Sequence, residues 1–221
     1  MKLRDKLTLL NIDCMEYMAS VPDKYFDLAV VDPPYGIDAD VKNNTGIKQT
    51  KKSATRSKKY GSQLWDSDIP SDKYFYELNR ISKRQIIWGA NYFGMVGGMI
   101  YWHKNVTMPT YSTGELAWVS WMNKLDFIDI PWHGMIQHDM KNKEQRIHAT
   151  QKPVRLYDWI YDRYASENCK VIDTHLGSGS NAIAAHYSDK VSEFVGCELD
   201  KDYYNDMIKR VRKDTEQLKL F

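Results

Sequence analysis

Asp27-Leu28-Ala29-Val30-Val31 runs directly into Asp32-Pro33-Pro34-Tyr35-Gly36. An unbroken apolar run of this length reads as a strand buried on both faces, the pattern of a parallel sheet. The two prolines forbid its continuation, because each lacks a ladder donor and fixes its own backbone. The break delivers three groups together at a strand's carboxyl end: the Asp32 carboxylate, the Pro33 carbonyl and the Tyr35 ring. In open α/β sheets that end is where ligands bind. A carboxylate and a carbonyl accept the two N–H bonds of an exocyclic amine, and an aromatic ring stacks on the heterocycle carrying it. The alternative reading is a proline-rich turn with a helix-capping aspartate.

A second strand end carries different chemistry. Val171-Ile172-Asp173-Thr174-His175-Leu176-Gly177-Ser178-Gly179-Ser180 reads as strand, glycine turn and helix start. Glycines let backbone approach a ligand closely, and a helix amino terminus favours an anionic group. Gly177-x-Gly179-x-x-Ala182 also fits the dinucleotide fingerprint, with Glu198 at the expected distance for a ribose. A dinucleotide fold needs several βα units after its fingerprint, whereas only one strand and one helix follow Glu198 here. The rest of the sheet must come from upstream sequence.

Between these ends the spacing predicts strands at Leu7 to Ile12, Gln85 to Trp88, Met99 to Trp102, Phe127 to Trp132, Lys170 to Asp173 and Glu193 to Glu198. It predicts a short helix or turn from Asp13 to Ser20, and helices from Ser71 to about Ile81, Pro153 to about Ala165, Gly179 to about Ser188 and Asp200 to about Leu218. Tyr111 to Trp121 is polar and aromatic, and Ile136 to Ile147 shows no clear period. At 221 residues the chain fits one domain with a full core. It lacks an apolar run long enough to span a membrane and a signal-peptide apolar region, so a cytoplasmic location in a bacterial or phage-infected host is expected. Cys14, Cys169 and Cys197 are odd in number and far apart, which argues against a disulfide frame, and neither they nor the histidines have metal-ligand spacing.

The net charge of +2 conceals an asymmetry. Lys48, Lys51, Lys52, Arg56, Lys58 and Lys59 stand with no acidic residue among them, in a stretch (37–64) rich in polar residues and glycine. A mobile basic loop placed after the Asp32 strand end is well situated to meet a phosphate backbone.

Asp32-Pro33-Pro34-Tyr35 resembles the signature tetrapeptide of the DNA amino-methyltransferases, in the Asp…Tyr form typical of the adenine-N6 enzymes. The order of the two strand ends resembles one circularly permuted class of that family. The resemblance implies an α/β, Rossmann-like S-adenosylmethionine-dependent methyltransferase fold with a mostly parallel seven-stranded sheet. It assigns Asp32, Pro33, Pro34 and Tyr35 to catalysis. Asp173, His175 and the turn Gly177, Ser178, Gly179 and Ser180 are assigned to the methionine part of S-adenosylmethionine, Glu198 to its ribose, and Asp13 and Cys14 to its adenine. His148-Ala149-Thr150-Gln151-Lys152-Pro153 is similar to another family element, in which Lys152 is the cation near the cofactor carboxylate. The implied activity is methylation of adenine N6 in double-stranded DNA with base flipping. Cytosine-N4 methylation is the alternative, and a DNA-binding module impaired in catalysis is a second.

Two departures stand out. Thr174-His175 replaces the family's Pro-Phe, which puts loop rigidity in doubt, and Ala149 replaces a proline. Protonation of His175 beside a sulfonium is expected to weaken cofactor binding below about pH 6.5. Residues 104–147 leave room for only a small target-recognition segment. Asn91-Tyr92-Phe93, after the next strand, resembles a segment of small phage-type adenine methyltransferases. Gln217-Leu218-Lys219-Leu220-Phe221 resembles the peptide by which bacterial DNA enzymes dock into the sliding clamp; folding back onto the chain's own sheet is the competing expectation.

Overall fold

The computed structural model describes residues 2–3, 6–37, 69–106, 112–133, 136–148 and 150–216. Its first half contains β1 (Lys2–Leu3), β2 (Leu7–Asn11), α1 (Cys14–Ala19), β3 (Phe26–Val31), α2 (Asp72–Ile81), β4 (Ser82–Trp88), β5 (Met99–His103) and β6 (Gly114–Val119). The second contains β7 (Leu125–Asp129), β8 (Trp132–His133), β9 (Ile136–Gln137), α3 (Val154–Tyr164), β10 (Cys169–Asp173), α4 (Ser180–Tyr187), β11 (Val191–Glu198) and α5 (Lys201–Glu216).

Among the described residues nine strands form one sheet in the order β1-β2-β11-β10-β3-β4-β6-β5-β7, and β8 and β9 form a separate ribbon. The five strands from β2 to β4 are parallel. β6 runs antiparallel to both β4 and β5, and β7 lies parallel to β5. The sheet therefore exceeds the expected seven strands by one at each edge. β1 pairs with β2 as a two-residue hairpin arm, and β7 adds outside β5.

β3 is the centre, as its composition requires. Leu28 and Val30 pack with α3, α4 and α5 on one face, while Ala29 and Val31 pack with α1 and α2 on the other. All four are essentially inaccessible, and burying a large apolar side chain is worth about 1.5–3 kcal/mol. The helices follow their apolar faces: Leu156, Ile160 and Tyr161 from α3 pack into the first core, and Tyr74, Leu78 and Ile81 from α2 into the second.

The sequence reading misses β6. Glu115 interrupts an otherwise apolar run, and a charged residue in a central strand argues against burial; the structure buries it with two lysines. The strand expected at Phe127 to Trp132 divides into β7 and β8 across Ile130-Pro131, where proline removes a ladder donor. Within 104–147, β6 and β7 belong to the main sheet, so only the β8–β9 ribbon and its flanks stand apart. The basic stretch beyond Ile37, with Lys48, Lys51, Lys52, Arg56, Lys58 and Lys59, lies outside the described residues, as does Gln217 to Phe221. Among the described residues no helix is long and apolar enough to cross a membrane.

The parallel block places four chemistry-bearing ends on one edge. β10 lies beside β3, with Ile172 opposite Ala29 and Val171 opposite Leu28. Asp32 thus follows one strand and Asp173 ends its neighbour, while Glu198 ends β11 and Asp13 follows β2.

Candidate active site

A cavity of about 900 Å³ opens at this edge. Asp13, Cys14, Asp32, Pro34, Lys152, His175, Gly177, Ser178, Ser180 and Glu198 all line it. Asp173 and Gly179 stand behind its wall, and Pro33 and Tyr35 flank Asp32. The sequence-predicted residues that lie within the described structure are thereby brought together, although several do different work from that expected.

The glycine turn is fastened to the neighbouring strand. Leu176 N donates to Cys197 O at 2.9 Å, and Gly177 N donates to Glu198 Oε2 at 2.8 Å. Glu198 Oε1 accepts from Asp200 N at 3.0 Å. Burial pushes the Glu198 carboxyl up to about 7 despite these amide donors. Asp173 is similar: buried, it rises to about 7, although Asn181 Nδ2 donates to Oδ2 at 2.9 Å and His175 N to Oδ1 at 3.0 Å. Asn181 also donates to Val30 O at 3.0 Å and accepts from the Tyr161 hydroxyl, so one buried amide ties the ends of β3 and β10 together.

Gly179 is required by packing. Its φ is +76°, and a Cβ there would sit 2.7 Å from Met207 Cγ and 2.8 Å from Val211 Cγ2 on α5. Asp13 caps α1 by accepting from Met15 N at 2.7 Å, while remaining on the cavity wall. Cys14 is half-buried beside it, whereas Cys169 and Cys197 are buried; all three are free thiols.

Thr174-His175 supplies its own stiffening. The Tyr74 hydroxyl pairs with Thr174 Oγ1 at 2.6 Å, Thr174 Oγ1 with His175 Nδ1 at 2.9 Å, and the His175 ring meets Tyr74 edge-on at 5.4 Å. Hydrogen bonds thus replace the missing proline and aromatic packing. Burial pushes His175 down to about 4, so it stays neutral where protonation was expected to weaken cofactor binding. His148, packed on Tyr203 at 4.5 Å, is lowered to about 4 for the same reason, with Lys152 adding to it.

Around Asp32 the structure shows an ion cluster. Lys152 is nearly enclosed, and its ammonium pairs with Asp32 Oδ2 and lies 3.0 Å from Glu115 Oε2. Glu115 Oε1 pairs in turn with Lys104. Lys152, expected near a cofactor carboxylate, therefore has its ammonium on the Asp32 carboxylate instead. Burial and the Glu115 charge raise the Asp32 carboxyl, and Lys152 opposes that rise. Burial also works against the charges of Glu115 and Lys152, but their mutual attraction outweighs it: Glu115 is held below the usual range and Lys152 above. Glu115 and Lys104 are absent from the sequence reading. The available signal was a lone acid inside an apolar run, which requires a cation when buried.

Tyr35 completes the group. Its hydroxyl donates to Asp32 Oδ1 and lies 3.1 Å from Lys152 Nζ. The ring stacks on Tyr92 with centroids 4.8 Å apart and meets Phe93 edge-on at 6.0 Å. Gly89, with φ +81°, allows this approach: a Cβ there would lie 2.3 Å from Tyr35 Cε1.

Known proteins resemble this chain in sequence and in fold. The sequence profile of a DNA methylase family, covering N6 and N4 enzymes, matches residues 48–210. YubD of Escherichia coli (strain K12), which is named as a methylase, is 25% identical over 203 residues, covering 87% of this chain and 84% of YubD. Among solved structures, the M1.HpyAVI complex with SAM superposes with a TM-score of 0.57 at 18% identity, over 92% of this chain and 99% of that one. The PvuII cytosine-N4-specific DNA methyltransferase gives 0.60 at 12% identity, over 96% and 91%.

Proposed function

The chain belongs to the DNA methylase family, and from that premise we propose that it methylates adenine N6 in double-stranded DNA, with S-adenosylmethionine as methyl donor. The observation that carries this reading is the Asp32 carboxylate after β3, on the wall of the same cavity that Glu198 lines, with Asp173 at the end of the neighbouring strand.

The cavity suits this cofactor, which bears a sulfonium and an ammonium. Asp13, Asp32, Glu198, Asp200 and Asp202 line it against only Lys152 and Lys201 among the lysines, a surplus of anions matched to a cation. When bound, S-adenosylmethionine supplies an electrophilic methyl group. Glu198, held by the Gly177 and Asp200 amides, would accept hydrogen bonds from the ribose hydroxyls, and the Gly177 to Ser180 turn would receive the methionine end.

Asp32 and the Pro33 carbonyl act on the acceptor. Adenine N6 is a poor nucleophile because its lone pair is delocalised into the ring. Hydrogen bonds from both N–H groups to these acceptors localise the pair and aim it for in-line attack. Asp32, whose carboxyl burial raises, would take the N6 proton released as the methyl group is transferred and pass it to water. A base in a duplex must first be flipped out, at a cost of a few kcal/mol. Stacking on Tyr35 returns roughly 1–3 kcal/mol of it.

The aspartate and tyrosine of the tetrapeptide support adenine over cytosine. The order of the strand ends, Asp32 before Asp173, supports the permuted class. The basic residues Lys48, Lys51, Lys52, Arg56, Lys58 and Lys59 are read as contacts to phosphate. Transfer of a radiolabelled methyl group to genomic DNA, followed by nucleoside analysis, tests the proposal. N6-methyladenine is expected; N4-methylcytosine would reassign the base, and no transfer would leave a binding module.

A further inference from the structure

The carboxylate that the acceptor amine requires is already engaged. Asp32 Oδ1 accepts from the Tyr35 hydroxyl and Oδ2 from the Lys152 ammonium. An amine bringing two N–H groups needs the Pro33 carbonyl and one of these oxygens, and an oxygen relieved of its ammonium accepts the N–H more strongly than one that shares its charge with Lys152. Lys152 cannot retreat into water: its side chain is 2% exposed, with the Trp88 and Tyr35 ring centroids 5.3 Å and 5.5 Å from the ammonium. A buried ammonium leaves one anion only where another receives it.

That second anion is in place. Glu115 Oε2 lies 3.0 Å from Lys152 Nζ. It is nevertheless buried without an aligned hydrogen bond among the described residues. The other oxygen is pinned by Lys104, which keeps the carboxylate from swinging away. This second anion thus already faces the ammonium it would receive.

We propose that Glu115 is a positioning residue that takes the Lys152 ammonium from Asp32 when the target amine enters, freeing one Asp32 oxygen to accept an N–H. The inference rests on the reading of Asp32 as the amine acceptor. The exchange leaves the local charge unchanged, two carboxylates against the ammoniums of Lys152 and Lys104. It also withdraws a positive charge from the nitrogen as that nitrogen becomes positive. Tyr35 and Tyr157, whose hydroxyls burial pushes well above the usual tyrosine range, stay neutral beside the cluster, so the Tyr35 hydroxyl that accepts from Lys152 at 3.1 Å offers it no countercharge.

Glu115→Gln tests this, since it keeps the shape and removes the charge. At saturating cofactor, kcat should fall about 10- to 100-fold, the size of one charged hydrogen bond, with KM for S-adenosylmethionine unchanged. The acid limb of the kcat profile should move to lower pH, because one anion fewer faces Asp32. Glu115→Asp, which keeps the charge, should leave that limb in place. Wild-type turnover in Glu115→Gln, or a loss that follows melting temperature with an unmoved limb, would overturn the proposal. A structure of the wild-type protein with target DNA gives a test independent of variants. Lys152 on Glu115 with the amine on Asp32 is expected, and Lys152 still on Asp32 sinks the idea. Methylation by the wild type that persists in Asp32→Asn would instead overturn the reading of Asp32 itself.

Discussion

Tyr92 lies parallel to Tyr35, ring on ring at 4.8 Å with 14° between the planes, on the aromatic face proposed for the target base. Tyr92 is 43% exposed and belongs to the turn after β4, where its N donates to Gly89 O at 2.8 Å. A base that stacks on Tyr35 must displace it. Tyr92→Ala should therefore favour the flipped state and lower KM for DNA by up to about tenfold, given about 0.5–1.5 kcal/mol for an aromatic pair. Fluorescence of 2-aminopurine at the target position reports flipping directly. A drop in turnover without increased flipping would make Tyr92 a wall of the base site instead.

Gly89→Ala should damage the same place from the opposite side. The new Cβ would meet the Tyr35 ring at 2.3 Å in a backbone conformation that L residues rarely adopt. We expect a loss of about 1–3 kcal/mol in unfolding free energy. Turnover should fall further than the remaining folded fraction explains. Denaturant melts and kcat measured on the same preparation check both.

Asp32→Ala should abolish methyl transfer and leave S-adenosylmethionine binding largely intact, because the carboxylate acts on the acceptor amine. Calorimetry with cofactor alone reads this. Retained turnover would remove Asp32 from the mechanism, and lost cofactor affinity would move it to the cofactor site.

The pH dependence of cofactor binding is assigned to carboxylates. Asp173 and Glu198 are both raised to about 7 by burial, and a cationic ligand favours their ionised forms. Binding should release protons near neutral pH, and affinity should improve as pH rises from about 6 to about 8. Calorimetry in buffers of different ionisation enthalpy measures the release. His175→Phe should leave this profile unchanged, because a histidine lowered to about 4 is already neutral across that range. A profile flattened by His175→Phe would return the dependence to the histidine.

Neutralising Lys48, Lys51, Lys52, Arg56, Lys58 and Lys59 together should weaken DNA binding evenly across sequences. The salt dependence should flatten by a slope of about 0.9 per lost phosphate contact. An unchanged slope would exclude these residues from the interface.

Local chemistry made much of the frame legible. The apolar run at Leu28 to Val31 and its prolines identified the central strand, and the Gly177 to Ser180 turn identified the strand beside it. What stayed hidden was pairing at a distance. Lys152 carries no mark of its partner, because Asp32 lies 120 residues away in the chain and the two meet only through the sheet. Tyr111 to Trp121 reads as polar and aromatic and so gives no strand signal, and the partners that neutralise its Glu115, Lys104 and Lys152, come from other segments. For His175 the sequence supplies only the unperturbed titration near neutrality, whereas burial lowers it to about 4.

Asn181 couples two tasks that enzymes often keep apart. Its amide holds the end of β10 to the end of β3 through Asp173 and Val30, so on the proposed reading the spacing between the two reactants is inherited from the sheet. Losing that clasp would let the two halves drift independently. An enzyme damaged there would fail as a misaligned instrument does, still gripping each reactant while rarely bringing them into line.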